Sequence, residues 1–379
     1  MNFELTAEQS MIRELIHDFA EAEVAPGALE RDRTGAFPIE IFEKLAKLGL
    51  MGLPFPEQYG GAGADTVSFA VVVEELSRVC ASTGITYSAH ISLGGAPLAL
   101  FGTEEQKARY LTPLCKGEYL GAFGLTEPNA GSDAGGTRTT AVLDGDNWVI
   151  NGSKCFITNA GYSRNLALTA LTDRSRGTSG ISAFIVPTDA PGFTVLNHYE
   201  KMGLHASNTT ELVLDQVAVP GENLLGIEGN GFKQFLAVLD GGRIGIGAMA
   251  VGIAQGAFEK SLRYAKQRKQ FGSALAAFQA IQFKLADMAM NIEVARNMVY
   301  KAAWLKDQGK TFKKEAAMAK LFASEMCMKV CDQAVQIHGG YGYMREYEVE
   351  RAFRDAKLLE IGEGTSEVQR MVIAAQIGC

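Results

Sequence analysis

Near the C-terminus, Ile361-Gly-Glu-Gly-Thr-Ser-Glu-Val-Gln-Arg370 sets one carboxylate, Glu363, between two glycines. An apolar Leu358-Leu359 pair precedes it and a helix-like run follows. Glycine on both sides lets a backbone or a ligand come very close. A carboxylate in an apolar setting is a better base at neutral pH, because desolvation raises its pKa. The same pattern also suits a plain turn, with Thr365 as helix cap and Glu367 in the first turn. These residues alone leave both readings open.

Four upstream segments carry similar ambiguity. Phe123-Gly-Leu-Thr-Glu-Pro-Asn-Ala-Gly-Ser-Asp133 is dense in turn formers and in hydroxyl and amide groups. It can offer N–H donors to an anion or a carbonyl-rich ring, or be a plain polar loop. In Leu239-Asp-Gly-Gly-Arg243 the arginine can meet a phosphate or pair with Asp240. Arg268-Lys-Gln-Phe-Gly272 puts cations where a helix would end, which is favourable without any function. Gln336-Ile-His-Gly-Gly-Tyr-Gly342 has three glycines in four residues, more than a helix cap needs. His338, alone, reads as structural.

Two patterns are decoys. Gly245-Ile-Gly-Ala-Met-Ala250 matches a dinucleotide fingerprint but lies in a helical run with no strand before it. Glu14-Leu-Ile-His17 is half of a di-iron site with no second half. The six cysteines are scattered, and Cys327 and Cys331 have no fourth ligand at zinc spacing, so no metal is expected.

The elements that must position these residues fall into three stretches. Residues 1–120 look helical, from a capping box at Thr6-Ala-Glu-Gln9 through amphipathic runs at 39–50, 67–79, 88–101 and 104–114. From 121 to 230 the text is strand-like. Trp148-Val-Ile150 and Cys155-Phe-Ile-Thr158 flank Asn151-Gly152, a hairpin signal. Further short strands are expected at 166–171, 181–186, 193–196 and 212–219, making an antiparallel barrel or sandwich. From 231 to 379, long periodic segments at 231–268, 276–307 and 313–337, with a shorter one after Thr365, predict a four-helix bundle. The fold class is α+β.

The bulk numbers narrow the function. A formal charge of −7 argues against nucleic acid as the main partner. No run approaching the roughly 20 apolar residues of a membrane span is evident, so membrane insertion is not expected. The N-terminus lacks the basic start and apolar run of a signal peptide, which predicts an intracellular protein.

Taken together, the loop FGLTEPNAGSD, Arg268, the glycines at 339–342 and the segment GEGTSEVQR resemble the acyl-CoA dehydrogenase family. The resemblance spans essentially the whole chain and is greatest to the short-chain, bacterial butyryl-CoA type. It implies a FAD enzyme, a homotetramer built as a dimer of dimers, in a bacterial cytoplasm rather than a mitochondrial matrix. The implied reaction is oxidation of an acyl-CoA to the trans-2-enoyl-CoA, with electrons passed to an electron-transferring flavoprotein. Glu363 would remove the α-proton while flavin N5 accepts the β-hydride. A flavin acyl-CoA oxidase and a catalytically silent CoA-ester binder are the alternatives.

By the same resemblance, Phe123, Leu125, Thr126, Phe156, Ile157 and Thr158 would meet the flavin, with Thr126 near N5. Ser132 would touch both FAD and CoA. Asp240, Arg243 and Gly364 would meet the substrate. Arg268, Phe271, Gln279, Gln336, Ile337, Gly339 and Gly340 would reach FAD of a neighbouring subunit. Thr365 and Glu367 would face the FAD phosphates and ribose. Two departures stand out. Gly362 replaces a tyrosine common in relatives, which widens the acyl cavity toward branched groups. The segment Tyr87–Leu93, expected to floor that cavity, contains no arginine, which disfavours a dicarboxylyl substrate.

Overall fold

The computed structural model describes residues 4–379; residues 1–3, where the N-terminal reading begins, lie outside the described residues. Thr6 opens the first helix, α1 (Ala7–Phe19), with a complete capping box: its side chain accepts from Gln9 N, and Gln9 Oε1 accepts from Thr6 N. There follow α2 (Ala28–Thr34), α3 (Ile39–Lys47), α4 (Thr66–Val79), α5 (Ala81–Ala89), α6 (Ala96–Phe101), α7 (Glu104–Gln106) and α8 (Thr112–Cys115). The helix expected over 88–101 is broken by a π-helical turn, His90–Gly95, between α5 and α6. Its His90 ring is fully buried, Nδ1 accepting from Gly121 N at 2.9 Å and Nε2 lying 2.9 Å from Met51 O. That tie anchors the helices to the chain entering the β region.

Seven strands form one sheet: β1 (Ala122–Gly124), β2 (Thr140–Asp144), β3 (Asn147–Thr158), β4 (Asn165–Leu171), β5 (Ile181–Pro187), β6 (Phe193–His198) and β7 (Thr209–Pro220). The order is β1-β4-β2-β3-β7-β6, with β5 beside β4. Most pairs are antiparallel, but β1 and β2 each meet β4 in parallel. The expected hairpin at Asn151-Gly152 is a correction. β3 runs straight through those residues, and the turn falls at 145–146, joining β2 to β3. Asn151 instead faces a bulge in β7, where Asp215 and Gln216 oppose it and Gln216 has φ +55°. Asn151 Oδ1 accepts from Gln216 N across the strands, and a Cβ on Gly152 would strike Thr139. Local turn chemistry lost to the pairing of a long strand.

The last third holds α9 (Gly231–Gln267), a small ribbon of β8 (Lys269–Gln270) and β9 (Ser273–Ala274), α10 (Gln279–Asp307), α11 (Lys313–His338), α12 (Val349–Ala356) and α13 (Ser366–Ile377). α9 packs on α11, α10 and α4, so the N-terminal helices share its core. The α9 text is rich in small residues, which permits close approach: a Cβ on Gly252 would lie 2.2 Å from Glu74 O in α4. One window of α9, with mean hydropathy 1.5, is long and apolar enough to cross a membrane by length and composition, contrary to the sequence expectation. Its alanines and glycines hid the signal from a search for large apolar residues. That window is 72% buried within the molecule, mainly against α11 and α4.

Candidate active site

Glu363 sits in the turn between the short 3-10 helix Lys357–Glu360 and α13. Its φ is +54°, a left-handed conformation that costs a non-glycine residue energy unless the surroundings hold it. They do. Gln369 Nε2, from α13, donates to Glu363 O at 3.2 Å and Gly364 O at 2.9 Å. Lys320 Nζ, from α11, donates to Gly364 O at 2.7 Å. Thr365 caps α13 by accepting from Val368 N, so the turn reading of this segment holds.

The strained turn drives the Glu363 carboxylate onto α9. A Cβ built on Gly242 would lie 2.0 Å from Oε2, so only glycine leaves room there. Glu363 as a residue is partly exposed, yet Oε2 is shut off from solvent and has no hydrogen-bond partner. Burial pushes its carboxyl up to about 7, against the opposing pull of Lys320 and, less strongly, Arg243. Arg243, one residue beyond Gly242, is buried and pairs with Asp240. Arg243 Nε and Gln369 Oε1 are buried without partners as well. Three orphaned polar atoms, one of them the carboxylate's own, are donors and acceptors a ligand can use.

A second cluster surrounds the 123–133 loop. Phe123 stacks on Phe235 of α9, ring centroids 4.1 Å apart, so the loop is fixed to the same helix that carries Gly242. Seven residues of helix separate the two, a rise of about 10 Å. Cys155 N donates to Thr126 O at 2.9 Å, which sets Leu125 and Thr126 beside Phe156 and Thr158 of β3. Phe156 has φ +59° and is 65% exposed, a large ring held in water by a strained backbone. Beneath the loop, Lys154 is fully buried and donates to Glu127 Oε1 at 2.7 Å and to Leu125 O at 3.3 Å. Glu127 also accepts from Arg138 N and Thr139 N.

The remaining candidates scatter. Ser132 is exposed on the loop, and Glu367 is exposed in the first turn of α13. Ile157 and Ile337 turn their side chains into the core, so only their backbones can face a ligand. Arg268, Phe271 and Gln279 are exposed where α9 gives way to α10; Gln336, Gly339 and Gly340 are exposed where α11 ends. The Arg268 guanidinium lies over the Tyr341 ring, 5.5 Å from its centroid, joining these two groups. Phe271 is 95% exposed at φ +51°. His338 is buried against Tyr264 and hydrogen-bonded to Ala334 O, the structural role expected of it. A cavity of about 260 Å³ lies elsewhere, lined among others by Phe42, Tyr119 and Arg164 and by none of these candidates.

Sequence reasoning missed Lys320, Gln369, Lys154 and Glu127. The signal for Lys320 was present: it falls in the apolar stripe Ala316, Ala319, Ala323, Cys327 of α11, where a lysine is out of place. Lys154 likewise shares strand parity with the inward-facing Trp148 and Ile150.

Three family models match consecutive stretches: the N-terminal domain of acyl-CoA dehydrogenase at residues 6–118, its middle domain at 122–217 and its C-terminal domain at 229–378. The chain belongs to the acyl-CoA dehydrogenase family. A probable acyl-CoA dehydrogenase of Bacillus subtilis, YngJ, is 62% identical, with 100% of each chain covered. The structure of butyryl-CoA dehydrogenase from Megasphaera elsdenii superposes with a TM-score of 0.98 at 50% identity, covering 100% of both chains. A chain in a structure described as the electron transferring flavoprotein of Acidaminococcus fermentans superposes with a TM-score of 0.99 at 49% identity, again over 100% of both. Acyl-CoA dehydrogenases are flavin oxidoreductases, so the expected fold, reaction class and FAD cofactor hold for this chain. The residues present fit that cofactor. The Leu125–Thr126 and Phe156–Thr158 faces lie side by side, and the exposed Phe156 ring, tilted against Tyr199 at 5.2 Å, leaves apolar surface on which a flat ring can pack.

Proposed function

We propose that the chain dehydrogenates a short-chain acyl-CoA to its trans-2-enoyl-CoA, with Glu363 as the base that takes the α-proton. The observation that carries this is the Glu363 carboxylate: buried, without a partner, and raised to about 7. A carboxylate at its ordinary pKa of about 4.3 is too weak a base for an α-C–H at neutral pH. Desolvation against α9 makes it stronger. FAD, when bound, supplies the acceptor for the electron pair that leaves the β-carbon with its hydrogen. The chain's own share is to hold the thioester so that its α-carbon faces Glu363, with the Glu363 N–H donating toward the thioester carbonyl and drawing electron density from the C–H. Asp240, Arg243 and Gly364 line the substrate's approach. Leu125, Thr126, Phe156 and Thr158 flank the flavin, Ser132 reaches both ligands, and Thr365 and Glu367 face the FAD phosphates and ribose.

Acyl specificity is read from two places. Gly362 has no positive φ, and a Cβ there would meet only Leu358 at 3.6 Å or beyond, so the backbone does not require glycine. Its small size leaves the acyl cavity open to a branched group. The segment Tyr87–Leu93 packs on α9 through Ser88 and Gly245, one turn from Gly242. Its one titratable imidazole, His90, is pushed down to about 4 by burial and so is neutral at pH 7. A glutaryl carboxylate would meet no cation there.

Electrons then pass to an electron-transferring flavoprotein; the likeness to the Acidaminococcus assembly supports this. The exposed Phe271, Gln279, Gln336, Gly339 and Gly340 support a homotetramer in which one subunit reaches the FAD of another. The domains divide at 1–120, 121–230 and 231–379, and the likeness to bacterial relatives supports a bacterial cytoplasm.

The test is anaerobic titration of the yellow protein with butyryl-, isovaleryl-, hexanoyl-, octanoyl- and glutaryl-CoA. Bleaching of the flavin band by butyryl- or isovaleryl-CoA, and none by glutaryl-CoA, is expected. A protein inert to every thioester would be a silent binder. Rapid oxygen consumption during turnover would make it an oxidase.

A further inference from the structure

Lys320 lies wholly inside the molecule, in the first third of α11, and donates one hydrogen bond to a neutral acceptor, Gly364 O, at 2.7 Å. No ion-pair partner accompanies it among the described residues. A buried ammonium without a carboxylate is expensive, and an apolar residue of similar length would be cheaper for the fold alone. The cost points to a task.

Two features of the surroundings define it. The carbonyl that Lys320 holds belongs to the residue after Glu363, inside the left-handed turn that drives the carboxylate onto Gly242. The charged groups facing Lys320 are Glu363, Arg243 of α9, Glu360 before the turn and Glu367 of α13. Arg243 is paired with Asp240. Glu360 is paired with Lys357 at 2.6 Å. Glu367 is exposed and screened by water. Once these are set aside, Lys320 and Glu363 remain, among the charged groups facing Lys320, as a cation and an anion with no ion pair among the described residues.

We infer that Lys320 is a positioning residue for proton removal: held on the Gly364 carbonyl, its ammonium fixes the turn that aims Glu363 and supplies the charge that keeps that carboxylate ionised as substrate expels water. The inference rests on Glu363 being the base. Burial lowers the Lys320 ammonium to about 8, and Glu363 is the largest influence raising it back, as a facing pair requires. Loss of a positive neighbour lets a carboxylate keep its proton to higher pH.

The experiment compares Lys320→Met, Lys320→Gln and Lys320→Arg with Glu363→Gln, following pH-dependent flavin reduction by butyryl-CoA. In the Met and Gln variants the acid limb of kcat/KM should move up by about one unit. The rate constant should fall by about 10–100-fold, with KM little changed. Arginine should return the limb toward that of the unsubstituted protein. The carboxyl infrared band of Glu363, identified as the band lost in Glu363→Gln, should shift its titration in the same direction without any turnover. Should Lys320→Met fail to fold, Lys320→Gln and the infrared titration carry the same test. An unmoved limb and an unmoved carboxyl band would overturn the inference. Persistent flavin reduction in Glu363→Gln would instead remove the base assignment beneath it.

Discussion

A single carboxylate, set against glycine at 2.0 Å from where a Cβ would stand, concentrates the chemistry of this chain at one point. Replacing Glu363 by Gln should abolish flavin reduction while leaving the protein folded, since shape and burial are kept. It should also raise stability. The folded chain holds the Glu363 proton up to about 7, whereas an ordinary glutamate releases it near 4.5. A raised folded-state pKa gives stability that is complete below the unfolded value and is lost as pH rises through the folded one. At pH 8 the Gln variant should therefore be the more stable by on the order of 2 kcal/mol, and the gap should close below about pH 4.5. Thermal unfolding at the two pH values checks both halves; an equal gap at both would contradict the buried-base picture. Gly242→Ala should push the carboxylate aside and cost roughly 100-fold in rate with little change in KM, measured by stopped-flow bleaching. The double change Gly242→Glu with Glu363→Gly probes the same contact from the other side. A side chain from 242 grows into the space the Glu363 carboxylate fills, so the pair should regain at least about 10-fold over Glu363→Gly alone.

At the scale of elements, the loop of residues 123–133 depends on a buried pair. Lys154 and Glu127, 2.7 Å apart, tie β3 to the loop through Leu125 O, Arg138 N and Thr139 N. Lys154→Met strands the Glu127 charge and should cost about 3–5 kcal/mol and release FAD, while adding Glu127→Gln should restore much of both. Flavin fluorescence on heating reads the two effects together; equal losses in single and double variants would rule out the pair as the cause. Which elements were legible follows from which physics is local. The long helices α9, α10 and α11 showed in their periodicity, and Thr6 and Thr365 announced their caps. Asn151-Gly152 misled, because the pair runs inside a long strand opposite a bulge in β7, and only the partner strand decides between that and a hairpin. The short strands β1 and β2 were missed, and they pair with β4 across gaps no window spans. At the site, Glu363 and the loop were visible as composition. Lys320 and Lys154 were not recognised, since a charge becomes informative only once its burial is known.

The whole molecule carries its two candidate regions on one strut. α9 meets the 123–133 loop at Phe235, the carboxylate at Gly242, holds the Asp240–Arg243 pair, and ends at Arg268 beside Tyr341. The proposed tetramer would tie the exposed groups at that far end to the cofactor. Phe271→Ala touches almost nothing within one chain and should change the stability of an isolated chain by less than about 0.5 kcal/mol. In a tetramer that shares FAD it should instead loosen the cofactor and weaken association, seen by sedimentation with and without added FAD. No effect on either would place Phe271 outside the shared site. One consequence concerns length rather than residue type. Each residue added to a helix turns everything beyond it by about 100° and advances it by about 1.5 Å. A single insertion between Phe235 and Gly242 would swing the glycine off the carboxylate and Arg243 out of the site, while Phe123 still gripped the other end. Substitutions can be absorbed along α9 one at a time, but its residue count between these contacts is fixed by the spacing of the loop and the carboxylate it joins.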